Sequence, residues 1–177
     1  MPQTLSVIST AIPLSLGLPA LMPVRLAGSE GVNGLFEYEL VLKTPDALNL
    51  GASGAAKFNL DGFIGQAVTC LIELDGSGEL LAGTVGSSVY GTGAGVRQIS
   101  GIVTDAVMEG EAGRHVVYRF IIRPWLHLAT LNCDCKIYQD QTVVQTLDQV
   151  LGSYSFPVEK RLYDTYPIRD YCVQWNE

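Results

Sequence analysis

Three stretches of the chain alternate apolar and polar residues with a period of two. In "LFEYELVLK", Phe36, Tyr38, Leu40 and Leu42 share one side while Glu37, Glu39 and Lys43 take the other. Successive side chains on a strand point to opposite faces, so the pattern predicts a half-buried strand. The same period in "QAVTCLIEL" turns Val68, Cys70, Ile72 and Leu74 inward, and in "RHVVYRFIIR" it turns Val116, Tyr118, Phe120 and Ile122 inward. "RQISGIVTDAVM" precedes the last of these, with "EGEAGR" as the turn between them. Strands joined by short turns predict an antiparallel meander or barrel.

Past residue 140 the period changes to that of a helix. In "QDQTVVQTLDQVLGSY", Val143, Val144, Leu147, Val150 and Leu151 fall on one helical stripe, which predicts an apolar face with Leu147 turned into a core. Thr142 followed three residues later by Gln145 is the spacing of a capping box, and Gly152 is a natural stop. The helix is therefore placed at about 142–152. Pro124, at the head of "PWLHLATL", suits the first position of a further short helical turn. Two glycine-containing spacers, "LNLGASGAAKFNLDGFIG" and the insertion at 75–96, separate the strands. The resulting expectation is a mainly β chain with one main α-helix, an α+β arrangement. A β-barrel domain spans 1–131, and a helix-containing segment, 132–177, begins a second subdomain.

Composition narrows the class. At 177 residues, 47% hydrophobic and 16% charged, the chain has enough apolar material for a core. Its 18 acidic residues outweigh 11 basic ones, giving a formal charge of −7, which repels a phosphate backbone and excludes nucleic acid as a partner class. "AIPLSLGLPALMPV" is the most apolar early segment. It is broken by Pro13, Pro19 and Pro23 with no Lys or Arg before it, so it reads as neither signal peptide nor membrane anchor. The four cysteines are accordingly expected to be free thiols.

The densest chemistry lies in "RPWLHLATLNCDCKIYQD", residues 123–140. Structural zinc takes four ligands grouped in pairs, and Cys133 with Cys135 has no companion pair. Both are expected to pack as small hydrophobes, as are Cys70 and Cys172 on their alternating runs. His127 has no positioned partner in sequence, nor has His115, so a Cys–His nucleophile is not assembled by spacing. "GTGAGV" at 91–96 lacks the helix and basic residue of a phosphate loop. Nothing pairs any two of Asp105, Glu109, Glu111, Asp134 and Asp140 for acid–base work. No catalytic, cofactor-binding or metal residues are assigned.

The segments "RPWLHLATL", "KIYQDQTVVQTLDQVL" and "YPIRDYCVQWNE", in that order and spacing, resemble the amino-terminal part of the VgrG proteins, the spikes of the type VI secretion system. Upstream "LFEYELVL", "GFIGQAVTCLIEL" and "ISGIVTDA" are similar to that family's first strands, so the resemblance runs from about Leu35 to Glu177. Lys136 departs from the family's more usual Arg. The resemblance implies a tail-tube-like barrel of the kind found in phage tail hubs, forming the base of a trimeric spike. Arg123, Pro124 and Trp125 would end a barrel strand and open a short turn. Gln139 and Asp140 would lead into the helix, and Tyr171 and Cys172 would belong to the next strand. It also implies a homotrimer in a longer protein, of which this chain is a piece, with a tube (Hcp-like) protein, a spike-tip protein and effectors as partners. Assembly would take place in the bacterial cytoplasm, followed by secretion without a signal peptide.

Other readings stand beside it. A hub of a phage or phage-like contractile tail would share the fold. A β-rich saccharide-binding module would use Tyr90, Trp125, Tyr163 and Tyr166 as a stacking surface. An enzyme would need Cys133 or Cys135 beside His127.

Overall fold

The computed structural model describes residues 4–15, 17–46, 58–74 and 95–175. The chain forms two compact units, Met1–Pro124 and Trp125–Glu177. In the first unit, strands β1 (Leu5–Ile8), β4 (Met22–Gly31), β5 (Gly34–Lys43), β6 (Ala67–Leu74), β7 (Gly95–Ala112) and β8 (His115–Arg123) make one sheet; a hairpin of two-residue strands, β2 (Leu14–Ser15) and β3 (Leu18–Pro19), stands apart. The sheet order is β1-β6-β7-β8-β5-β4, and its neighbouring strands pair antiparallel.

Strand β7 makes the sheet curl. It pairs with β6 along Gly95–Ile102 and with β8 along Ile102–Ala112, so its two neighbours are staggered along it. Such stagger is the geometry by which a sheet closes into a barrel. The sheet becomes a half-barrel whose end strands, β1 and β4, lie side by side. Arg97, on the β6-paired half of β7, reaches Glu30 of β4 at 2.8 Å and the Tyr38 hydroxyl of β5 at 3.1 Å.

The alternating runs bury the residues the sequence turned inward. Val116, Tyr118, Phe120 and Ile122 of β8 lie in the core with Tyr38, Leu40 and Leu42 of β5 and Val68 and Cys70 of β6. A short 3-10 helix, Leu60–Phe63, drops Phe63 onto Phe120 with ring centroids 4.9 Å apart. Thr44 is the buried polar residue among those described, and it is satisfied: its hydroxyl accepts the Val116 N–H at 3.0 Å and its own N–H donates to the Val116 carbonyl.

One expectation changes. "EGEAGR" is not all turn: Glu109 to Ala112 stay in β7, which absorbs a register shift between Met108 and Gly110, leaving Gly113 (φ 64°) and Arg114 as the tight connection. Bulges let a strand bend and continue, and polar residues on its solvent face look like a loop in sequence. The early apolar segment contributes a hairpin and the start of β4. Apart from Gly95 and Val96, which open β7, the insertion at 75–96 lies outside the described residues, as does Tyr90.

In the second unit a 3-10 helix, Trp125–Leu131, leads to β9 (Cys135–Thr142), helix α1 (Val143–Leu151) and β10 (Ile168–Trp175). β9 and β10 pair as a two-stranded antiparallel ribbon, and α1 packs against β9. The capping box is complete: Thr142 Oγ1 accepts the Gln145 N–H and Gln145 Oε1 accepts the Thr142 N–H, with Gly152 as C-cap. Among the described residues of this unit only Tyr138 is buried. Two strands and one helix have too little apolar surface to enclose more.

Candidate functional site

The stretch 123–140 runs across the end of one unit and into the other. Arg123 ends β8; its Nε and Nη2 donate to Glu37 Oε2 at 2.9 and 2.5 Å, and its Nη1 donates to Thr104 Oγ1 at 2.9 Å. The guanidinium thus ties β8 to β5 and β7, an architectural use of its fork of donors. Beyond Pro124, the Trp125 ring stacks on Phe156 at 5.3 Å, nearly parallel, and meets Tyr154 at 6.0 Å. One face of the indole is thereby occupied.

His127 sits on the 3-10 helix, where its Nδ1 lies 3.3 Å from Thr130 Oγ1, and no hydrogen bond among the described residues joins it to a thiol. His115 belongs to the first unit and meets the Thr44 carbonyl at 2.7 Å and Asp46 at 3.4 Å. Cys133, Cys135 and Cys172 are exposed free thiols, which corrects the expectation that they pack in a core: Cys133 precedes the ribbon, Cys135 opens β9 on the face away from Tyr138, and Cys172 sits on β10 while α1 packs against β9. Cys70 is the buried one, and burial pushes its thiol up to about 11. A neutral, enclosed thiol is a poor nucleophile.

The candidate carboxylates are scattered. Glu109 pairs with Arg119 at 2.9 Å. Asp134 pairs with Lys136 at 2.6 Å; the Lys136 hydrogen bond, then the Cys135 N–H, hold its carboxyl below the usual range. Asp140 lies within β9 with φ 54°, in the left-handed region that Asn and Asp tolerate best among side-chain-bearing residues. Among the described residues no three His, Cys, Asp or Glu side chains converge as metal ligands, and no helix is long and apolar enough to cross a membrane.

A groove of about 430 Å³ in the second unit runs beside Cys133, Lys136, Tyr138, Gln149 and Gln174. Its polar groups largely serve one another: the Tyr138 hydroxyl donates to Gln174 Oε1 and the Asn132 amide donates to the Tyr154 hydroxyl, both at 3.1 Å. The ribbon beside it is more exposed. Register places Gln139 opposite Tyr171, Ile137 opposite Val173 and Cys135 opposite Trp175, all on one face, while Tyr138 opposite Cys172 lies on the other. The family-like motif residues Gln139, Tyr171 and Cys172 are thus brought together on neighbouring strands, and Arg123, Pro124 and Trp125 lie at the junction of the units. Period-two alternation in "KIYQ" and "YCVQW" is the signal by which this ribbon could have been found; which of its faces stays bare depends on where α1 packs. Tyr163 and Tyr166 are exposed, and no described ring contact joins them to Trp125 in a stacking surface.

Residues 29–177 match the family described as phage tail baseplate hub (GPD). Two Pseudomonas aeruginosa type VI secretion system spike proteins, VgrG1c and VgrG1b, are 30% and 31% identical over 163 and 166 residues. Those alignments cover 92% of this chain but 19% and 18% of the relatives, so the chain spans about one fifth of their length. Among solved structures, an Escherichia coli component of the type VI secretion system, described as similar to the bacteriophage T4 tail proteins gp27 and gp5, superposes with a TM-score of 0.61. It shares 17% identity, and the match covers 98% of this chain and 39% of that one.

Proposed function

The chain belongs to the phage tail baseplate hub family, and from that premise we propose that it is a structural part of a type VI secretion spike: the base that meets the secreted tube. The observation that carries this reading is the alignment of spike proteins along 92% of the chain, on a half-barrel of hub-like fold. In the assembled spike three copies surround one axis, a tube (Hcp-like) protein stacks on the base, and a tip protein with its effectors lies at the other end. The assembly forms in the bacterial cytoplasm and leaves through the secretion machine without a signal peptide. The reading is of a structural part and not of an enzyme, and what supports it is a family of tail-hub and spike proteins. Arg123, Pro124, Trp125, Gln139, Asp140, Tyr171 and Cys172 act in holding strand ends and the ribbon, not in chemistry.

The test is direct. Purified chain is mixed with rings of a tube protein from a type VI system and the mixture is resolved by sedimentation; co-sedimentation with rings is the expected result. Cys135→Ala and His127→Ala should bind rings as the parent does. A folded chain that binds no rings, or an activity lost in either variant while binding persists, overturns the reading. The family description names a phage baseplate, so a hub of a phage-like contractile tail is the second reading; binding to a phage tube protein in preference to the secretion tube would select it.

A further inference from the structure

Strands β4 and β5 are joined by a two-residue loop, Val32 and Asn33, which the pair Gly31 and Gly34 closes. Val32 stands fully in solvent, and Gly31, Asn33 and Gly34 are exposed with it. A register shift between Ser29 and Gly31 separates this last pair from the regular ladder. A hairpin end beyond such an irregularity is held by few contacts and opens at low cost. The loop also holds a reactive dipeptide. Asn33 is followed by Gly34, whereas Asn49 and Asn59 precede leucines, Asn132 a cysteine and Asn176 a glutamate. The Asn132 amide is moreover engaged, donating to the Tyr154 hydroxyl at 3.1 Å.

We infer that Asn33 is a site of spontaneous deamidation, at which the Gly34 backbone nitrogen attacks the Asn33 side-chain amide. That nitrogen gives its proton to hydroxide, bonds to Cγ and expels the amide nitrogen, which leaves as ammonia. A five-membered succinimide results. Water then adds to one of its two carbonyls: opening at Cγ leaves an aspartate, and opening at the main-chain carbonyl leaves an isoaspartate whose backbone runs through Cβ. Water supplies the new oxygen, ammonia is the group lost, and nothing is oxidised. The fold favours each step. Exposure admits water and hydroxide, the loosely held hairpin end lets the Asn33 side chain swing towards the next nitrogen, and Gly34 has no Cβ to obstruct it. Either product is ionised at neutral pH, so the hairpin tip gains one negative charge on a chain already at −7. The isoaspartate also lengthens a loop whose length sets the register, which displaces Gly31 from Gly34. Fresh and aged chains therefore differ at this tip, a covalent change that does not depend on the spike reading.

The test is to hold the full folded chain in warm, mildly alkaline buffer and sample it over days, with a parallel sample unfolded in urea. Isoelectric focusing reads the charge, peptide mass mapping locates the change, and methyl transfer by an isoaspartyl methyltransferase scores the isoaspartate. A more acidic species should accumulate in the folded sample, faster as the pH is raised, with the mass gain on the peptide that contains Asn33. Gly34→Ala should lose that species. Alanine fits there without strain, because a Cβ at Gly34 meets nothing within 4 Å and its φ is not left-handed. Asn33→Gln, which would have to close a larger ring, should lose it too and serves if Gly34→Ala does not fold by circular dichroism. Modification in urea but not in the folded chain, a mass gain at another residue, or an acidic species that persists in a folded variant overturns the inference.

Discussion

Four cysteines that read alike in sequence separate into two kinds in the fold. Cys70 points into the half-barrel, whereas Cys133, Cys135 and Cys172 meet solvent. A thiol-labelling reagent should therefore modify three groups in the native chain and a fourth only on unfolding. Because burial raises the Cys70 pKa from 9.0 to about 11, the thiol favours folding while neutral, and that contribution is complete below its unfolded pKa. It disappears as pH rises from about 9 to about 11, a loss of about 2–3 kcal/mol at one pKa unit per 1.36 kcal/mol. Urea titrations at pH 8 and pH 11 should show a smaller drop for Cys70→Ala than for the parent. Gly101 illustrates a second residue-level constraint. A Cβ there would stand 2.5 Å from the Arg123 carbonyl oxygen and 2.8 Å from Ile122 Cγ2, at the point where β7 changes partners. Gly101→Ala should cost about 1–3 kcal/mol by overpacking, measured by denaturant midpoint.

Among the elements, α1 formed where its caps placed it, yet its stripe is not buried as the spacing suggested. Leu147 is 50% exposed and Val143 39%. Leu147→Asp should consequently keep the chain folded, since the new charge stays in water, in contrast to the collapse expected of a buried face. Thr142→Ala removes the acceptor of the Gln145 N–H and should cost about 1 kcal/mol. Faster amide exchange across Val143–Leu151, with exchange in β8 unchanged, is the readout. Of the strands that the period-two reading missed, the long β4 has a physical reason. It is an end strand with Pro23, Gly28 and Gly31 and two register shifts, so its alternation is broken. Gly28 is needed there because a side chain would collide with the Glu37 carbonyl and the Tyr38 ring.

At the scale of the molecule, the two units differ in how much they bury. The first holds a continuous aromatic and aliphatic core around Tyr118, Phe120, Leu40 and Ile122; the second buries Tyr138 alone among its described residues. Local opening free energy follows buried apolar contact. Amides of β5 and β8 should exchange slowest in the chain, and those of β9 and β10 markedly faster. Protection of β9 and β10 equal to that of β8 in dilute monomer would contradict this account. Phe120→Ala, in the core of the first unit, should cost about 3–5 kcal/mol and lower the whole barrel's protection together.

What the sequence by itself determined was local: the inward faces of β5, β6 and β8, the capped helix, and the family likeness carried by 123–140 and its neighbours. Each of these depends on residues close along the chain, because strand and helix periods and a cap spacing are set by backbone geometry over a few residues. Tertiary structure alone decided the rest. It kept Glu109 to Ala112 in β7, joined Arg97 to Glu30 and Tyr38 across the curl, and left Cys133, Cys135 and Cys172 in solvent. Alternation says that a strand has two unlike faces, but whether an apolar face is buried depends on a second layer contributed from elsewhere. In β8 that layer is present, and in the ribbon of β9 and β10 one face lacks it among the described residues. The same two-residue period therefore produced a core in one unit and an exposed surface in the other.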